Sequence, residues 1–424
     1  MTINNEHKKL NVPNLRFPEF QGEWEKYELG DICDIITDFV AAGSFASLRE
    51  NVKYYQENNY AQLIRTIDLK NNFTNSDFVY VDEVAYDFLW RVQLKEPNIV
   101  LPNIGANIGE KYYVKPQDLP KNKNVLGPNA ILLRSKCNDT HFVYFRLSTS
   151  SYDNEMKKLV GASGQPKFNK TDLKKVSLFM PSLIEQKRIA YFLALLEERI
   201  ATQNKIIEKL QSLIKGLEDK LLDNPLWEKT YLRSFMQFFS TNSLSWEQLS
   251  YEEGEIRNLH YGLIHGFQTR GINSASLPMI KNEAVPKQYT LCQVGDVAFA
   301  DASEDTGEIA KSVEFVDTIE GDTICGLHTI HGRDIKNRTV VGFKGFVFNS
   351  RYFHNQIKRL TQGTKVFSIT ANNLSSCYVY LPDLETQKAI VKLLIAYENQ
   401  LVVSRRTLEQ YEKQKQYLLR QMFI

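Results

Sequence analysis

The sequence predicts an α+β fold, with two similar, pseudo-symmetric globular domains separated by two long helices that form an antiparallel coiled coil. Three observations carry this expectation. The chain repeats itself once, at a spacing close to half its 424 residues. Each copy opens with strand-like runs broken by turn signals. Each copy closes with a sustained apolar stripe of heptad period.

The repeat is clearest where Pro181-Ser-Leu-Ile-Glu-Gln-Lys187 meets Pro382-Asp-Leu-Glu-Thr-Gln-Lys388, with Pro, Leu, Gln and Lys matching at an offset of 201. The same offset pairs Leu173 with Leu374, Ile189 with Ile390, Leu193 with Leu394 and Glu197 with Glu398. Trp24-Glu-Lys pairs with Trp227-Glu-Lys at 203, with Leu29 and Leu232 in step, and Ile108-Gly-Glu pairs with Thr306-Gly-Glu at 198. Anchors in one order with slightly drifting offsets indicate a tandem duplication with loop insertions and deletions. The modules are roughly 15–222 and 223–424, and so long a period excludes a short-repeat solenoid.

Within the modules, strands are expected at Phe78–Val81, Ile131–Leu133, Val294–Phe299 and Val340–Phe343, and short helices at Phe142–Ser150 and Ser350–Leu360. Such a mixture reads as a compact α+β domain. Pro181 and Pro382 mark helix starts, with Ser182 and Asp383 as N-cap candidates. From there, alternating steps of four and three run through Ile189, Leu193, Leu196, Ile200, Gln203, Ile207, Leu210, Ile214, Leu217 and Leu221. The second stripe is Ile390, Leu394, Tyr397, Leu401, Ser404, Leu408, Tyr411, Lys415, Leu418 and Met422. A lone helix cannot bury such a seam. The duplication supplies a partner within the chain, the alternative being one coil shared by a homodimer. The polar interruptions Gln203 and Ser404 lie near mid-helix at equivalent places, so antiparallel pairing would oppose them and set the register. About 40 helical residues span roughly 60 Å, enough to connect two heads that read separated sites on DNA.

Lys+Arg total 52 against 50 Asp+Glu, a net charge of only +2, so bulk charge does not make this chain a polyanion binder. Charge segregates locally instead. Asn98–Lys136 holds six basic residues and two acids, and Lys157–Lys175 six lysines and one acid. Asp296–Asp322 holds nine acids and one lysine, whereas Arg333–Lys365 holds eight basic residues and one acid. Basic runs beside Asn, Gln and aromatic residues suit phosphate positioning with base-edge readout, and solvated faces are the plainer alternative. The acidic run suits a protein partner or water.

The five cysteines are odd in number and none forms Cys-x-x-Cys, which argues against a disulfide framework or a paired-cysteine zinc site and for a reduced, cytoplasmic setting. The polar N-terminal stretch reads as no signal peptide, and the longest apolar run, Ile189–Leu196, is 8 residues. No P-loop and no Pro-Pro occurs, so neither a P-loop ATPase nor an amino-methyltransferase loop is present. Asp172 with Glu185-x-Lys187 has nuclease-like spacing, but the second copy replaces the acids by Asn373 and Thr386. His260 with His265, and His328 with His331, lack a carboxylate at zincin spacing and read as surface or core-edge histidines. No catalytic residue, bound cofactor or metal is therefore assigned to this chain.

Leu15-Arg-Phe-Pro-Glu-Phe-Gln-Gly-Glu-Trp-Glu25 followed by Leu29-Gly-Asp-Ile32 resembles the opening of specificity subunits of type I restriction-modification systems. Ile104-Gly-Ala-Asn-Ile-Gly-Glu110 resembles the glycine turn of their target recognition domains, and Leu183-Ile-Glu-Gln-Lys-Arg-Ile189 their central conserved region, repeated at Leu384–Ile390. The second copy departs at the turn, where Ala302-Ser-Glu-Asp-Thr-Gly307 has no Gly-x-x-x-Gly. The resemblance implies target recognition domains at 1–164 and 223–362, a central conserved helix at 165–222 and a C-terminal conserved helix at 363–424.

It further implies a non-catalytic, sequence-specific DNA-binding subunit. Each recognition domain would read one half of a bipartite double-stranded DNA target, the helices spacing the halves. Two methyltransferase (modification) subunits would carry S-adenosylmethionine, and two ATP- and Mg-dependent restriction subunits would cleave. By residue type and local charge, the candidates for phosphate positioning are Lys111, Lys167, Lys170, Arg333, Arg338 and Lys365. Those for base reading are Asn103, Asn107, Gln165, Gln268 and Arg270, with Gln203 and Ser404 for helix register. The alternatives are a DNA-binding nuclease with its own active site and a two-headed scaffold that binds no DNA.

Overall fold

The computed structural model describes residues 11–74, 77–105, 107–160, 167–266, 271–272, 274–317, 319, 321–363 and 365–424. They form two compact units. One is built from the chain up to Gln203 together with Thr407–Ile424, the other from Asn204–Arg406.

The same strand plan occurs in each unit. In the first, Glu25–Glu28 pairs antiparallel with Ser177–Met180, and in the second Glu228–Tyr231 pairs with Tyr378–Leu381. A four-stranded antiparallel sheet follows. Its order is Ile35–Asp38, Ala130–Arg134, Asn98–Pro102, Tyr112–Val114 in the first unit and Met236–Phe239, Thr329–Asp334, Val297–Ala300, Ser312–Glu314 in the second. A smaller sheet, of three short strands in the first unit and four in the second, holds the one parallel pair of each unit's named strands: Ala61–Ile64 beside Asn124–Leu126, and Arg257–Leu259 beside Thr323–Cys325. The duplication read from sequence is thus a duplication of sheet topology.

The central strands read as unbroken apolar runs because both faces are covered. Ile99, Leu101, Ile131 and Leu133 join Phe142 and Phe145 in one core, while the intervening Val100, Ala130 and Leu132 join the core under the smaller sheet. Side chains alternate across a strand, so one sheet serves two cores. The second unit repeats this, with Val297 and Phe299 in one core and Ala298 and Ala300 in the other.

Two local expectations change. Val340–Phe343 is no strand. It turns at Gly342, whose φ is +90°, into a short helix, Phe343–Val347. Buried Glu314 accepts from the Gly342 and Gly345 N–H groups at 2.9 and 2.7 Å, so a carboxylate from another strand fixes the turn. The strand expected from Val294 begins only at Val297, because Gly295 also has positive φ.

The long helices are Leu183–Leu222 and Leu384–Gln421. None of the twenty seam positions is exposed. In the first unit Ile189, Leu193 and Leu196 share a core with Leu418, Met422 and Phe423. Lys415, the charged interruption of the second stripe, reaches Glu197 at 2.6 Å. In the second unit Leu222 shares a core with Ile390, Val391 and Leu394. Each unit therefore joins the beginning of one helix to the end of the other, the antiparallel, intramolecular pairing expected. Gln203 is half-buried and Ser404 buried, each on its seam.

The glutamine shared by the two Pro-x-Leu-x-x-Gln-Lys segments has a definite task. Gln186 accepts from the Asp139 N–H at 3.0 Å and donates to the Pro181 carbonyl and the Asn138 side chain, both at 2.9 Å. Gln387 accepts from the Val340 N–H at 3.0 Å and donates to the carbonyls of Pro382 and Arg338 at 3.0 and 2.9 Å. Each buried amide fastens the first turn of a long helix to its globular domain. Among the described residues no helix is long and apolar enough to cross a membrane.

Replacing Gln186 or Gln387 by Ala strands buried backbone groups and should cost about 1–3 kcal/mol each in denaturant unfolding. The exposed neighbour Glu385→Ala should stay within about 0.5 kcal/mol of the parent. A neutral Gln387→Ala would show that the amide is dispensable.

Candidate nucleic-acid interface

The glycine turn of the first unit leaves the sheet after Asn98–Pro102. Gly105 and Gly109 have φ of +90° and +96°, and nothing lies within 4 Å of where a Cβ would stand on either. Glycine is required there by backbone conformation rather than by crowding. The turn is pinned to a distant segment. Ile104 forms a bridge with Lys167, the Phe168 N–H donates to the Asn103 carbonyl at 3.2 Å, and the Asn103 amide donates to the Phe168 carbonyl at 3.3 Å.

This pinning gathers Asn103, Lys167 and Lys170 on one side, with Asn107 farther along the turn. Lys167 is exposed. Lys170 sits 2.7 Å from Asp38. Asn107 accepts from Lys70 at 3.0 Å, and Lys70 also pairs with Glu110 at 2.7 Å. The Asn103 Oδ1 is buried with no hydrogen-bond partner among the described residues. Lys111 does not join them. It pairs with Asp153 at 2.5 Å and lies over the Tyr152 ring, committed to the helix Ser150–Val160. Gln165 lies outside the described residues.

Beside the patch is an apolar groove of about 340 Å³, shared by Asn103, Ile104, Phe45, Arg49, Tyr54 and Asn129. Phe45 is 76% and Tyr54 54% exposed. Aromatic faces next to basic and amide side chains suit contact with bases and sugars. Sequence reasoning missed this groove, because an exposed aromatic and a core aromatic look alike until the helix face is known.

In the second unit the corresponding loop is held by Ala302–Ser303 paired with Phe367–Ser368. Glu304, Asp305 and Lys365 are exposed around it. Gln268 and Arg270 lie outside the described residues. Arg338 pairs with Glu228 at 2.6 Å on the surface. Arg333 is turned inward and grips the carboxylate of buried Asp296 with two bonds of 2.8 and 2.7 Å. Burial works to raise the Asp296 pKa, but the bonds from Arg333 and His331 outweigh it and hold the carboxyl below its ordinary value.

The acidic run is accordingly not one solvated face. Asp296 and Glu314 are buried, Glu314 paired with buried Lys344 at 2.9 Å. Glu308 pairs with Lys311 and Asp301 with His328, both at 3.1 Å. The nuclease-like Glu185 is equally committed. It is buried, receives two bonds of 2.8 and 2.7 Å from Arg16, and accepts from the Trp24 indole at 3.3 Å. His260 packs against the Trp246 ring.

The family model described as Type I restriction modification DNA specificity domain matches residues 21–212 and 326–413, about two thirds of the chain. A Methanocaldococcus jannaschii protein assigned as the type I restriction enzyme MjaX specificity subunit is 26% identical, covering 97% of this chain and 96% of its own. The type I restriction enzyme MjaVIII specificity subunit of the same organism is 24% identical over 99% of this chain and 96% of its own. Among solved structures, the S subunit of a type I restriction-modification system from M. genitalium superposes with a TM-score of 0.58 at 15% identity, covering 97% of this chain and 99% of that one. A chain from a study of complex assembly and conformational transition of the type I R-M system gives 0.54 at 12% identity, covering 93% and 96%.

Arg333→Ala leaves a buried carboxylate without its main partner and should destabilise the chain by about 3–5 kcal/mol in thermal or denaturant unfolding. A stable Arg333→Ala protein with weakened DNA binding would instead make Arg333 a phosphate contact.

Proposed function

As the chain belongs to the type I restriction modification DNA specificity family and is a DNA sequence-specificity subunit, we propose that its two units each read one half of a bipartite double-stranded target. The observation that supports this is one sheet framework built twice with different rims. The first rim offers Asn103 and Lys167 beside exposed Phe45 and Tyr54, with Asn107 farther along the turn, while the second offers Lys365 beside Glu304 and Asp305. Lysines hold phosphates without reading sequence, amides address adenine edges, and carboxylates can accept from the cytosine amino group. Lys111, Lys170, Arg338 and Arg333 are already paired within their units and have correspondingly smaller parts in contact with DNA. Gln165, Gln268 and Arg270 remain base-reading candidates by residue type.

The chain acts with other subunits of a restriction-modification system. In this reading it has no catalytic step of its own. Two modification subunits carrying S-adenosylmethionine dock on it, and two restriction subunits using ATP and Mg join for cleavage, in the cytoplasm where the DNA is. The long helices set the gap between half-sites, and Gln203 and Ser404 fix their register.

The test is selection of fragments from a random DNA library by the chain assembled with its modification subunit, over a salt series. A bipartite motif is expected, and selection without any sequence preference would sink the reading. Lys167→Ala and Lys365→Ala should each weaken binding evenly across sequences and reduce the log K against log salt slope by about 1. Asn107→Ala should relax preference in one half-site only. One heptad inserted in each long helix should lengthen the gap between half-sites, and an unchanged gap would refute the spacing role.

A further inference from the structure

Three buried side chains of the second unit meet without any role in its DNA-reading rim. The sulfurs of Cys292 and Cys325 are 3.6 Å apart, and these atoms and a ring nitrogen of His331 all lie within 4.8 Å of one another. The residues are 7%, 2% and 1% exposed. They come from different places: Cys292 precedes the strand Val297–Ala300, Cys325 ends Thr323–Cys325, and His331 lies within Thr329–Asp334. The site therefore straddles the four-stranded sheet and the smaller sheet.

The separation of the sulfurs is informative. A disulfide holds them about 2.05 Å apart. Tetrahedral coordination with zinc–sulfur bonds of about 2.3 Å spaces two thiolates by roughly 3.7 Å. The histidine is also prepared. Its Nε2 donates to Asp296 at 2.7 Å, which leaves the lone pair on Nδ1. Arg333 and the Gln293 N–H hold that same carboxylate. A carboxylate fixing tautomer and ring orientation is the usual outer shell of a metal-bound imidazole.

The duplication supplies an internal comparison. Leu132 stands between Thr37 and Val100 in the first unit as His331 stands between Phe239 and Ala298 in the second. Leu126 holds the last rung of the parallel pair where the second unit has Cys325. The same framework thus closes with plain apolar residues, and the sulfur and imidazole donors are a property of one head.

We propose that Cys292, Cys325 and His331 form a zinc site in the second unit, with Asp296 orienting the imidazole and the fourth position left to water. Binding replaces the two thiol protons, which are released to solvent, so two thiolates balance the dication and no net charge is buried. The ion would clamp the two sheets of this head together.

The full-length chain, purified under reducing conditions, should hold about one zinc by elemental analysis. Cobalt added after zinc removal should produce thiolate-to-metal absorption. Both signals should vanish in Cys292→Ala and Cys325→Ala and persist in Cys33→Ala and Cys137→Ala. Asp296→Asn should weaken cobalt binding by about 10–100-fold. Unaltered, folded chain that takes up no zinc and shows no thiolate absorption with cobalt would overturn the proposal, whether or not the variants fold. So would metal retained in the doubly substituted chain. A mass two hydrogens lower, mapped to a Cys292–Cys325 disulfide in protein purified without reductant, would replace the proposal with a redox pair.

Discussion

An apolar seam five heptads long has to be covered, and this requirement organises the chain. Each unit covers half of one helix with half of the other. Ile189 and Leu193 share a core with Leu418 and Met422, and Leu222 shares one with Ile390 and Leu394. The two units therefore depend on the same two helices. The seam alone would leave each globular domain hinged on a helix end. The buried amides of Gln186 and Gln387 remove that freedom by tying the first helical turn to loops of the domain. In the first unit the opposite helix end is tied as well, with the Leu15 N–H donating to the Gln421 carbonyl and Trp24 packing against Phe423.

Within each unit the constraint passes from helix to sheet. Alternate residues of the central strands enter two cores, so the sheet cannot slip by one residue without exchanging both. A framework held on both faces can carry loops that contribute little to its stability. The Gly105–Gly109 turn and the Ala302–Ser303 loop are such excursions. Each is held by a brief antiparallel contact with the segment that leads back to the exit strand. Rigid support under loops free to differ in sequence is what recognition of varied targets requires.

The legible part of the sequence was the part with a period. Offsets near 201 marked the duplication, and steps of four and three marked a seam in which every position is covered. Where one residue answers to a distant partner, local reading failed. Val340–Phe343 has the composition of a strand, yet Glu314 and Gly342 make it a turn. Lys111 and Arg333 look like solvated cations in sequence, but Asp153 and Asp296, 42 and 37 residues away, claim them. The Pro181–Lys187 repeat was visible as a motif, whereas the task of its glutamine emerged only from the bonds it makes.

The same limit explains the cysteines. Spacing rules find metal sites whose ligands lie on one turn or hairpin, and Cys292, Cys325 and His331 come from a loop and two separate strands. Their neighbour Arg333 shows how charge should be counted in such a chain. Its guanidinium, Asp296 and His331 form one buried network, and Lys344 with Glu314 forms another. These charges enter the nearly balanced total, yet they are spent on the interior of the second head. Exposed charges on the two rims include Lys167 on one and Lys365 with Glu304 and Asp305 on the other. A net charge of +2 therefore says little about affinity for DNA. Buried pairs cancel inside the heads, and the rims of the two heads are differently charged.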